Sequence, residues 1–518
     1  MRPPCDEAVV RSVSAGVPCA VEARSWILAA TIIGSSMAFI DSTVVNVALP
    51  ALQTSFHATV VDVQWMVESY GLFLGALILV GGSLGDVFGR RLIFLLGVGV
   101  FAAASVGCAV AANLGLLITA RSIQGVGAAL LVPGSLAILS TSFDKNSRGP
   151  AIGTWSGFTA ITTALGPVLG GWLVEHASWR WVFLINLPLA AVVIIISLWQ
   201  IPESRAAARS HVDWLGALVV TLGLGGLVYG FVESGNMGWR HPLVLASSVL
   251  GCGCLIGFVF VEARVTSPMV PLTLFASSSF SGSNLLTLLL YAAMGIFFFL
   301  FPLDLIQVQG YSATAGGAAV LPLILLLFLL SRWSGGLVPR WGPRPPLIIG
   351  PLIAALGFVL FAVPAIDVSY WKAFFPAVLS LGLGMAITVA PLTTVVMNSV
   401  GAERVGAASG INNAVARVAG MLAVAVLGIV MVNAFSARLN EKLSSFALSP
   451  SVLRDIQANE IRLADLQPPV SVGDTTRAAI KGSVGEAFVF GFRLVMLICA
   501  GLSVAAAGVA SLMIAKTV

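Results

Sequence analysis

Fourteen stretches of this chain are predominantly apolar over about the 20 residues that a helix needs to cross a bilayer, and no other feature restricts its fold as strongly. They are Trp26–Pro50, Gln64–Leu84, Leu92–Ala112, Leu114–Ser140, Pro150–Val174, Trp181–Gln200, Trp214–Val232, Pro242–Val261, Phe280–Phe301, Ala313–Leu330, Pro346–Ile366, Trp371–Met397, Ser409–Ala434 and Ala487–Ile514. Inside lipid the backbone finds no water to bond with, so each stretch must be a helix. Composition agrees, with 58% of residues hydrophobic and 9% charged, against about 25% charged in soluble chains. No soluble domain of 518 residues hides that much apolar surface. The fold class is therefore an all-α polytopic membrane protein. The 27 Lys and Arg barely exceed the 22 Asp and Glu, which is no nucleic-acid footprint.

Short loops set the orientation, because Lys and Arg stay on the cytoplasmic side. With the N-terminus inside, the cytoplasmic loops hold Arg90, Arg91, Lys145, Arg148, Arg205, Arg209, Arg264, Arg332, Arg340, Arg344 and Arg404, while the outer loops hold Arg240, with Lys372 and Arg180 at their edges. Both termini are then expected in the cytoplasm of a cell with the chain in its inner membrane. The tail from Met1 to Ser25 carries Asp6, Glu7 and Glu22 and lacks an apolar core, so it does not read as a cleaved signal, and the first apolar run is expected to direct insertion. A long polar loop over residues 435–486 falls outside; long loops are exempt from the charge rule.

The chain also repeats itself. Gly82, Leu84, Gly89 and Arg91 match Gly335, Leu337, Gly342 and Arg344 at an offset of 253, and Gly125-Val-Gly127 matches Gly382-Leu-Gly384 at 257. Each offset covers eight spans. The simplest parse has a tail (residues 1–25), a six-helix bundle (26–200), two inserted helices with their loops (201–279) and a second six-helix bundle (280–518). Parallel repeats of this kind mark transporters with a substrate site at the repeat interface near mid-membrane.

Ionisable groups within spans are costly and usually functional. Asp41 in the first span, Glu68 in the second and Arg121 in the fourth stand out. Asp41 is a carboxylate that can exchange a proton. Arg121 keeps its charge, and Gln124 follows it by one turn. A fixed Asp41–Arg121 ion pair is the alternative reading, as is a solvated helix end for Glu68. In the second half Asp304, Gln307, Asn412, Asn413 and Arg417 are the polar candidates for a substrate cavity; Asp304 follows Phe301-Pro302, and outward exposure to water is its other reading. In the fifth span, Gly166, Gly170 and Gly171 let helices approach closely, and Pro167 bends the backbone.

These residues resemble a known family. Gly82-Ser-Leu-Gly85-Asp86-Val-Phe-Gly89-Arg90-Arg91 is similar to motif A of the major facilitator superfamily. Asp41-Ser-Thr-Val-Val-Asn46-Val-Ala-Leu-Pro50 resembles the first-helix motif of its fourteen-helix drug:proton antiporters, the EmrB/QacA type. Arg121-Ser-Ile-Gln124-Gly125-Val-Gly127 resembles motif B, Gly166-Pro167-Val-Leu-Gly170-Gly171 the antiporter motif C, and Trp179-Arg-Trp-Val-Phe-Leu-Ile-Asn186-Leu-Pro188 is also typical of that group. Two positions depart from the pattern. Thr162 stands where motif C begins with glycine, and Val87 where motif A carries a basic residue. The resemblance implies the major facilitator fold, two six-helix bundles plus two inserted helices. It also implies a proton-coupled efflux antiporter of bacterial multidrug resistance, working by alternating access. Asp41 and Arg121 would couple protons, and motif C would act in antiport. Beside the resemblance, the residues of motif A themselves read as a cytoplasmic clasp: the glycines make a tight turn, and Asp86 at a helix end can bond backbone donors and Arg91, which would favour the outward-open state.

Other functions fit less well. An importer or facilitator of one metabolite shares the fold. A membrane enzyme needs clustered His, Cys or acids, yet the four His (His57, His176, His211, His241) lie in loops or at span ends, and the six Cys lack metal-site spacing. No Gly-x-x-x-x-Gly-Lys-Ser/Thr loop is present for ATP. The expected partners are a small apolar or cationic substrate, protons as the coupling ion and the lipid bilayer, with no nucleic acid, no cofactor and a working monomer.

Overall fold

The computed structural model describes residues 21–143, 145–205, 213–266, 268–366, 368–400, 405–446, 448–468 and 472–515. Most of the N-terminal tail, with Arg209 and Arg404, lies outside the described residues, as do the side chains of Lys145, Arg148 and Arg332.

Among the described residues every regular element is helical. The first half consists of α1 (Val21–Phe56), α2 (Val60–Phe88), α3 (Arg90–Ala109), α4 (Leu114–Ser142), α5 (Lys145–His176), a short α6 (Trp181–Leu184) and α7 (Asn186–Gln200). Next come α8 (Trp214–Met237) and α9 (Pro242–Glu262). The second half holds α10 (Ser278–Leu303), α11 (Ala313–Ala318), α12 (Leu321–Gly335), α13 (Leu337–Trp341), α14 (Arg344–Phe361), α15 (Tyr370–Ala373), α16 (Phe375–Asn398), α17 (Val405–Leu443), α18 (Pro450–Ala458) and α19 (Asp474–Met513). Polar residues start several helices by accepting an otherwise unpaired backbone N–H: Asn113 takes that of Leu116 at α4, and Ser277 that of Phe280 at α10.

Among the described residues thirteen helical stretches are long and apolar enough to cross a membrane, with α6 and α7 forming one of them and α11 and the start of α12 another. The remaining expected stretch, Pro150–Val174, lies within the 32-residue α5 but is not among the thirteen. This helix is the more polar one, with Thr154, Thr159, Thr162 and Thr163 along it. The second half departs further from expectation. α17 has 39 residues and α19 has 40, about 60 Å each at 1.5 Å per residue, so both run beyond a bilayer. The polar segment expected to be a loop over 435–486 is thus helical at both ends, and the connection shrinks to residues 444–473. Ion pairs support the extensions: Arg438–Glu441 at 2.5 Å one turn apart, and Lys442–Glu486 at 2.5 Å between the two helices.

The helices gather into two units. The first comprises Met1–Val45, Ser69–Gly225 and Gly251–Leu272, and the second Asn46–Glu68, Gly226–Leu250 and Thr273–Val518. Within the first, α3 and α4 cross at glycines: a Cβ at Gly97 would lie 2.8 Å from Leu131 N and 3.0 Å from Gly127 O. Within the second, α14 and α16 cross the same way: a Cβ at Gly350 would lie 3.1 Å from Thr388 N and 2.8 Å from Gly384 O. Gly97 and Gly350 are 253 positions apart, while Gly127 and Gly384, like Leu131 and Thr388, are 257 apart. A second pair agrees, since Gly125 presses on the Tyr70 backbone and Gly382 on that of Leu323, again 253 positions on from Tyr70. The repeat read from a few glycines is therefore a repeat of backbone approach, made where only a missing side chain lets two helices touch.

Candidate functional site

A polar cluster sits in the core of the first unit, supplied by α1, α3, α4 and α7. Asp41 is fully buried on α1, and Arg121 is 2% exposed on α4. Gln124 follows Arg121 by three residues and so shares its helix face. Ser105 and Cys108 form a similar pair on α3, and Asn186 begins α7; all are buried. The Gly97–Gly127 crossing brings α3 and α4 close enough for these short side chains to meet.

Both Asp41 oxygens are engaged. Oδ2 accepts from the Arg121 guanidinium in a buried ion pair. Oδ1 accepts from Gln124 Nε2 at 2.7 Å and from Asn186 Nδ2 at 3.3 Å. Gln124 works in both directions, its Oε1 accepting from Arg121 at 2.7 Å while its Nε2 also reaches Ser105 Oγ at 3.0 Å. Ser105 Oγ accepts from Asn186 at 3.3 Å as well and donates to the Phe101 carbonyl at 2.8 Å. The Cys108 thiol faces Gln124 Oε1 at 3.7 Å. Arg121 also lies over the Tyr70 ring, 4.4 Å from its centroid, a cation–π contact strengthened by exclusion of water. The Tyr70 hydroxyl donates to the Ala38 carbonyl one turn before Asp41. A charge pair in low dielectric persists only when its remaining donors and acceptors are occupied, and this cluster meets that condition for Asp41. A proton on Asp41 would remove one member of the pair and leave Gln124, Asn186 and Tyr70 to hold the other parts in place.

Of the residues singled out in the sequence, Asp41, Arg121 and Gln124 thus come together. Tyr70, Ser105, Cys108 and Asn186 belong to the same cluster and were not expected there. Asn186 had one signal, an amide inside an otherwise apolar tract; small hydroxyl and thiol groups in spans give none.

At the motif A turn the structure corrects the expected clasp. Asp86 bonds Arg90, not Arg91, through Nε at 3.0 Å and Nη2 at 2.7 Å, because a four-residue step keeps both on one helix face. The backbone donors go to Glu203, whose carboxylate accepts from Arg91 N and Leu92 N, both at 3.1 Å. Arg91 instead reaches the Ile201 carbonyl at 3.0 Å. The N-terminus of α3 favours an anion, and Gly89 with φ +124° turns the chain into it where a Cβ would meet Glu203 Oε1 at 2.6 Å. Gly82 and Gly85 lie in the last turns of α2. Gly342 repeats the positive φ, at +80°, in the second half.

Motif C lies on α5 against α1. Gly166 faces Thr43, and Gly170 faces Val44, where a Cβ would lie 2.9 Å from the Val44 side chain. Pro167 and Gly171 are buried beside them. Thr162, which replaces the usual glycine, donates to Ser36 Oγ at 2.9 Å, and Trp155 Nε1 donates to Ser35 Oγ at 3.2 Å. The departure therefore adds a polar tie to the same seam.

The remaining candidates lie in the second unit and do not form one cluster. Glu68 is 1% exposed, and neither carboxylate oxygen has a hydrogen-bond partner among the described residues, so it is no solvated helix end. Asp304 is buried too, because the helix continues past Pro302 as a π turn over Asp304–Val308. Gln307 in that turn donates to Gln53 Oε1 at 3.0 Å. Asn412 donates to Thr287 Oγ1 at 2.7 Å and Asn284 Oδ1 at 3.2 Å. Asn413 is exposed and bonds its own helix at the Ser409 carbonyl, 3.0 Å away. Arg417, partly buried, is one turn further on. Among the described residues no group of three or more His, Cys, Asp or Glu could hold a metal ion.

Comparison with known proteins places these features in context. The family model of the Major Facilitator Superfamily matches residues 31–424. The chain is 34% identical over 484 residues to the multidrug resistance protein Stp of Mycobacterium tuberculosis, covering 91% of this chain and 88% of that protein. It is 30% identical over 498 residues to the tetracenomycin C resistance and export protein of Streptomyces glaucescens, covering 94% and 91%. Among solved structures, a bacterial homologue of the human lysosomal transporter Spinster, in an inward-facing and unoccupied conformation, superposes with a TM-score of 0.64 at 18% identity, covering 95% of this chain and 98% of that one.

Proposed function

The chain belongs to the Major Facilitator Superfamily, and from that premise we propose that it is a proton-coupled exporter of small apolar or cationic compounds, of the fourteen-helix antiporter type. The observation that carries this reading is the Asp41–Arg121–Gln124 cluster, a buried ion pair whose carboxylate alone can change charge. The relatives, one named for resistance and one for resistance and export, favour outward transport, and the seam of α1 with α5 carries the motif that the resemblance associates with antiport. In this reading the protein sits in the cytoplasmic membrane as a monomer with both termini inside, needs no cofactor, and divides into two six-helix bundles with α8 and α9 inserted between them.

The coupling follows from linkage. When Asp41 is reached from the more acidic outer side it takes a proton, and Arg121 keeps its place through Gln124 and the Tyr70 ring. When a cation arrives from the cytoplasm, the ionised carboxylate is favoured and the proton leaves inward. Each ligand changes the affinity of the other by the same factor. Everted membrane vesicles given a cationic dye and an imposed pH gradient test this. With the membrane potential held at zero, wild-type vesicles should concentrate dye only with the pH gradient, and Asp41→Asn vesicles, with the protein inserted in normal amount, should not. Accumulation by Asp41→Asn at the wild-type rate would remove Asp41 from the coupling role.

A further inference from the structure

Asp41 and Glu68 are both buried carboxyl groups on the first two helices, and their surroundings are opposite in kind. Asp41 is bonded at both oxygens and faces a guanidinium. Glu68 is 1% exposed with neither oxygen bonded, and the hydroxyl of the adjacent Ser69 is also buried without a partner. The side chains that flank Glu68 along α2 are directed elsewhere. Gln64 Nε2 donates to the Val424 carbonyl of α17 at 3.2 Å, and Trp65 Nε1 donates to Glu233 Oε1 of α8 at 2.8 Å. Asp62 is taken by the Thr59 backbone and hydroxyl, both at 2.8 Å. Glu233, the acidic group that α8 presents to α2, is held by Trp65 and by Asn236 at 3.2 Å. Glu68 is therefore buried with no hydrogen-bonding partner among the described residues.

An unpaired carboxylate buried without hydrogen bonds is far more costly than a carboxylic acid in the same place, and a buried polar group left without partners in a folded protein calls for an explanation. A proton that is bound here and given up in another conformation supplies one. We propose that Glu68 is a second proton-binding carboxyl of the transport cycle, so that two protons enter for each molecule exported and the exchange of a monovalent cation moves net charge. This rests on the proposed export function and adds a site and a stoichiometry to it. With Glu68 the two carboxyls occupy different states in one conformation, Asp41 ionised against Arg121 and Glu68 neutral. One proton is thus held while the other site is empty.

The experiment uses everted vesicles and ethidium, a monovalent cation. With equal pH on both sides and a lumen-positive potential of about 100 mV set by potassium and valinomycin, two-proton exchange drives ethidium into the lumen toward a roughly fiftyfold gradient. One-proton exchange is electroneutral and gives none. Wild-type vesicles should respond to the potential. Glu68→Gln vesicles should lose that response and, with a pH difference of one unit, reach only about tenfold accumulation instead of about a hundredfold. Glu68→Asp should restore part of the response. A wild-type protein that ignores the potential, or a Glu68→Gln protein that follows it, overturns the proposal while leaving export intact. A wild-type protein that ignores the pH gradient as well overturns the export reading itself. A measurement on the unaltered protein guards against a misfolded variant: dicyclohexylcarbodiimide, an apolar reagent for protonated carboxyls, should modify Glu68 with a yield that falls when ethidium is added. Modification elsewhere but never at Glu68 also overturns the proposal.

Discussion

The two halves of this transporter share their backbone crossings and differ in what those crossings enclose. α3 meets α4 at Gly97 and Gly127, and α14 meets α16 at Gly350 and Gly384. At the same offsets, Ser105 and Cys108 correspond to Phe358 and Phe361, while Arg121 and Gln124 correspond to Val378 and Leu381. All four counterparts are buried. Where the first half holds an ion pair, the second holds a cluster of tilted and edge-to-face aromatic rings, with the Phe297 centroid 4.8 Å from that of Phe361 and the Phe301 centroid 5.1 Å from it. Asn412 with Asn284 and Thr287 makes an uncharged polar contact in the second half. Close packing of helices is thus inherited by both halves, whereas among the described residues the buried ion pair behind the crossing belongs to one. A helix crossing constrains the two glycines and leaves the side chains behind them free to diverge.

The largest effect should come from leaving the first half with an unbalanced charge. Arg121→Met strands Asp41, and removing one member of a buried pair costs about 3–5 kcal/mol. The second half shows that an apolar filling is compatible with this crossing, so Asp41→Asn combined with Arg121→Met should recover most of the loss while remaining inactive in transport. Thermal unfolding of the purified proteins in detergent reads both. A double variant as unstable as the single one would break the comparison, because the two interiors would not be exchangeable.

A smaller effect tests the shared part. Gly97→Val and Gly350→Val each drive a side chain into the partner helix backbone, and overpacking of this kind costs about 1–3 kcal/mol. The two losses should be similar in the same unfolding assay. A loss confined to one variant would mean that only one crossing is close-packed in the membrane.

The smallest effect concerns a part the first half lacks, the connection between α17 and α19. Glu460 accepts from Asn440 Nδ2 at 2.7 Å there. Burial pushes its carboxyl above the ordinary value, against the lowering influence of its bonds with Ser436 and Asn440, and burial also raises Asp465 against Arg462 and His57. A carboxyl whose value is raised on folding binds protons more tightly in the docked state than when released. Its contribution is therefore complete at low pH and is lost as pH rises through the raised value. Relative to the intrinsic rate at each pH, the protection from hydrogen exchange over residues 444–473 should be greatest in acid and fall a few-fold toward neutrality. Glu460→Gln should flatten that dependence, and a profile unchanged by the substitution would assign it to other groups.

Most of the architecture was legible because lipid makes a simple demand: about twenty apolar residues for each crossing. The repeat was legible in part because Gly125, Gly127, Gly382 and Gly384 sit where helix backbones approach too closely for a side chain to fit without displacement. Asp41 and Arg121 were legible because a charge among apolar residues has few reasons to exist. Other features were hidden for physical reasons. Ser105 and Cys108 are small groups that occur in any span, so only the fold shows that they face Gln124. Glu203 lies in a connection, and nothing local marks it as the anion that starts α3. Arg90 and Arg91 were indistinguishable until the helix phase chose Arg90 for Asp86. The extensions of α17 and α19 were obscured because their ends are polar, and the Lys442–Glu486 ion pair that ties them together joins residues across a connection of some thirty positions.

The bonds from Glu203 to the start of α3 have a consequence for how the chain is made. Residue 203 lies 112 positions after Arg91. At ribosomal rates of about 5–20 residues per second, roughly ten seconds pass between the appearance of the two ends. Until then the positive end of α3 has no anion, and the third helix enters the membrane without its partner. The carboxylate that completes it arrives only after α7 has been synthesised, so the start of α3 can be fastened only when the chain through α7 is in place.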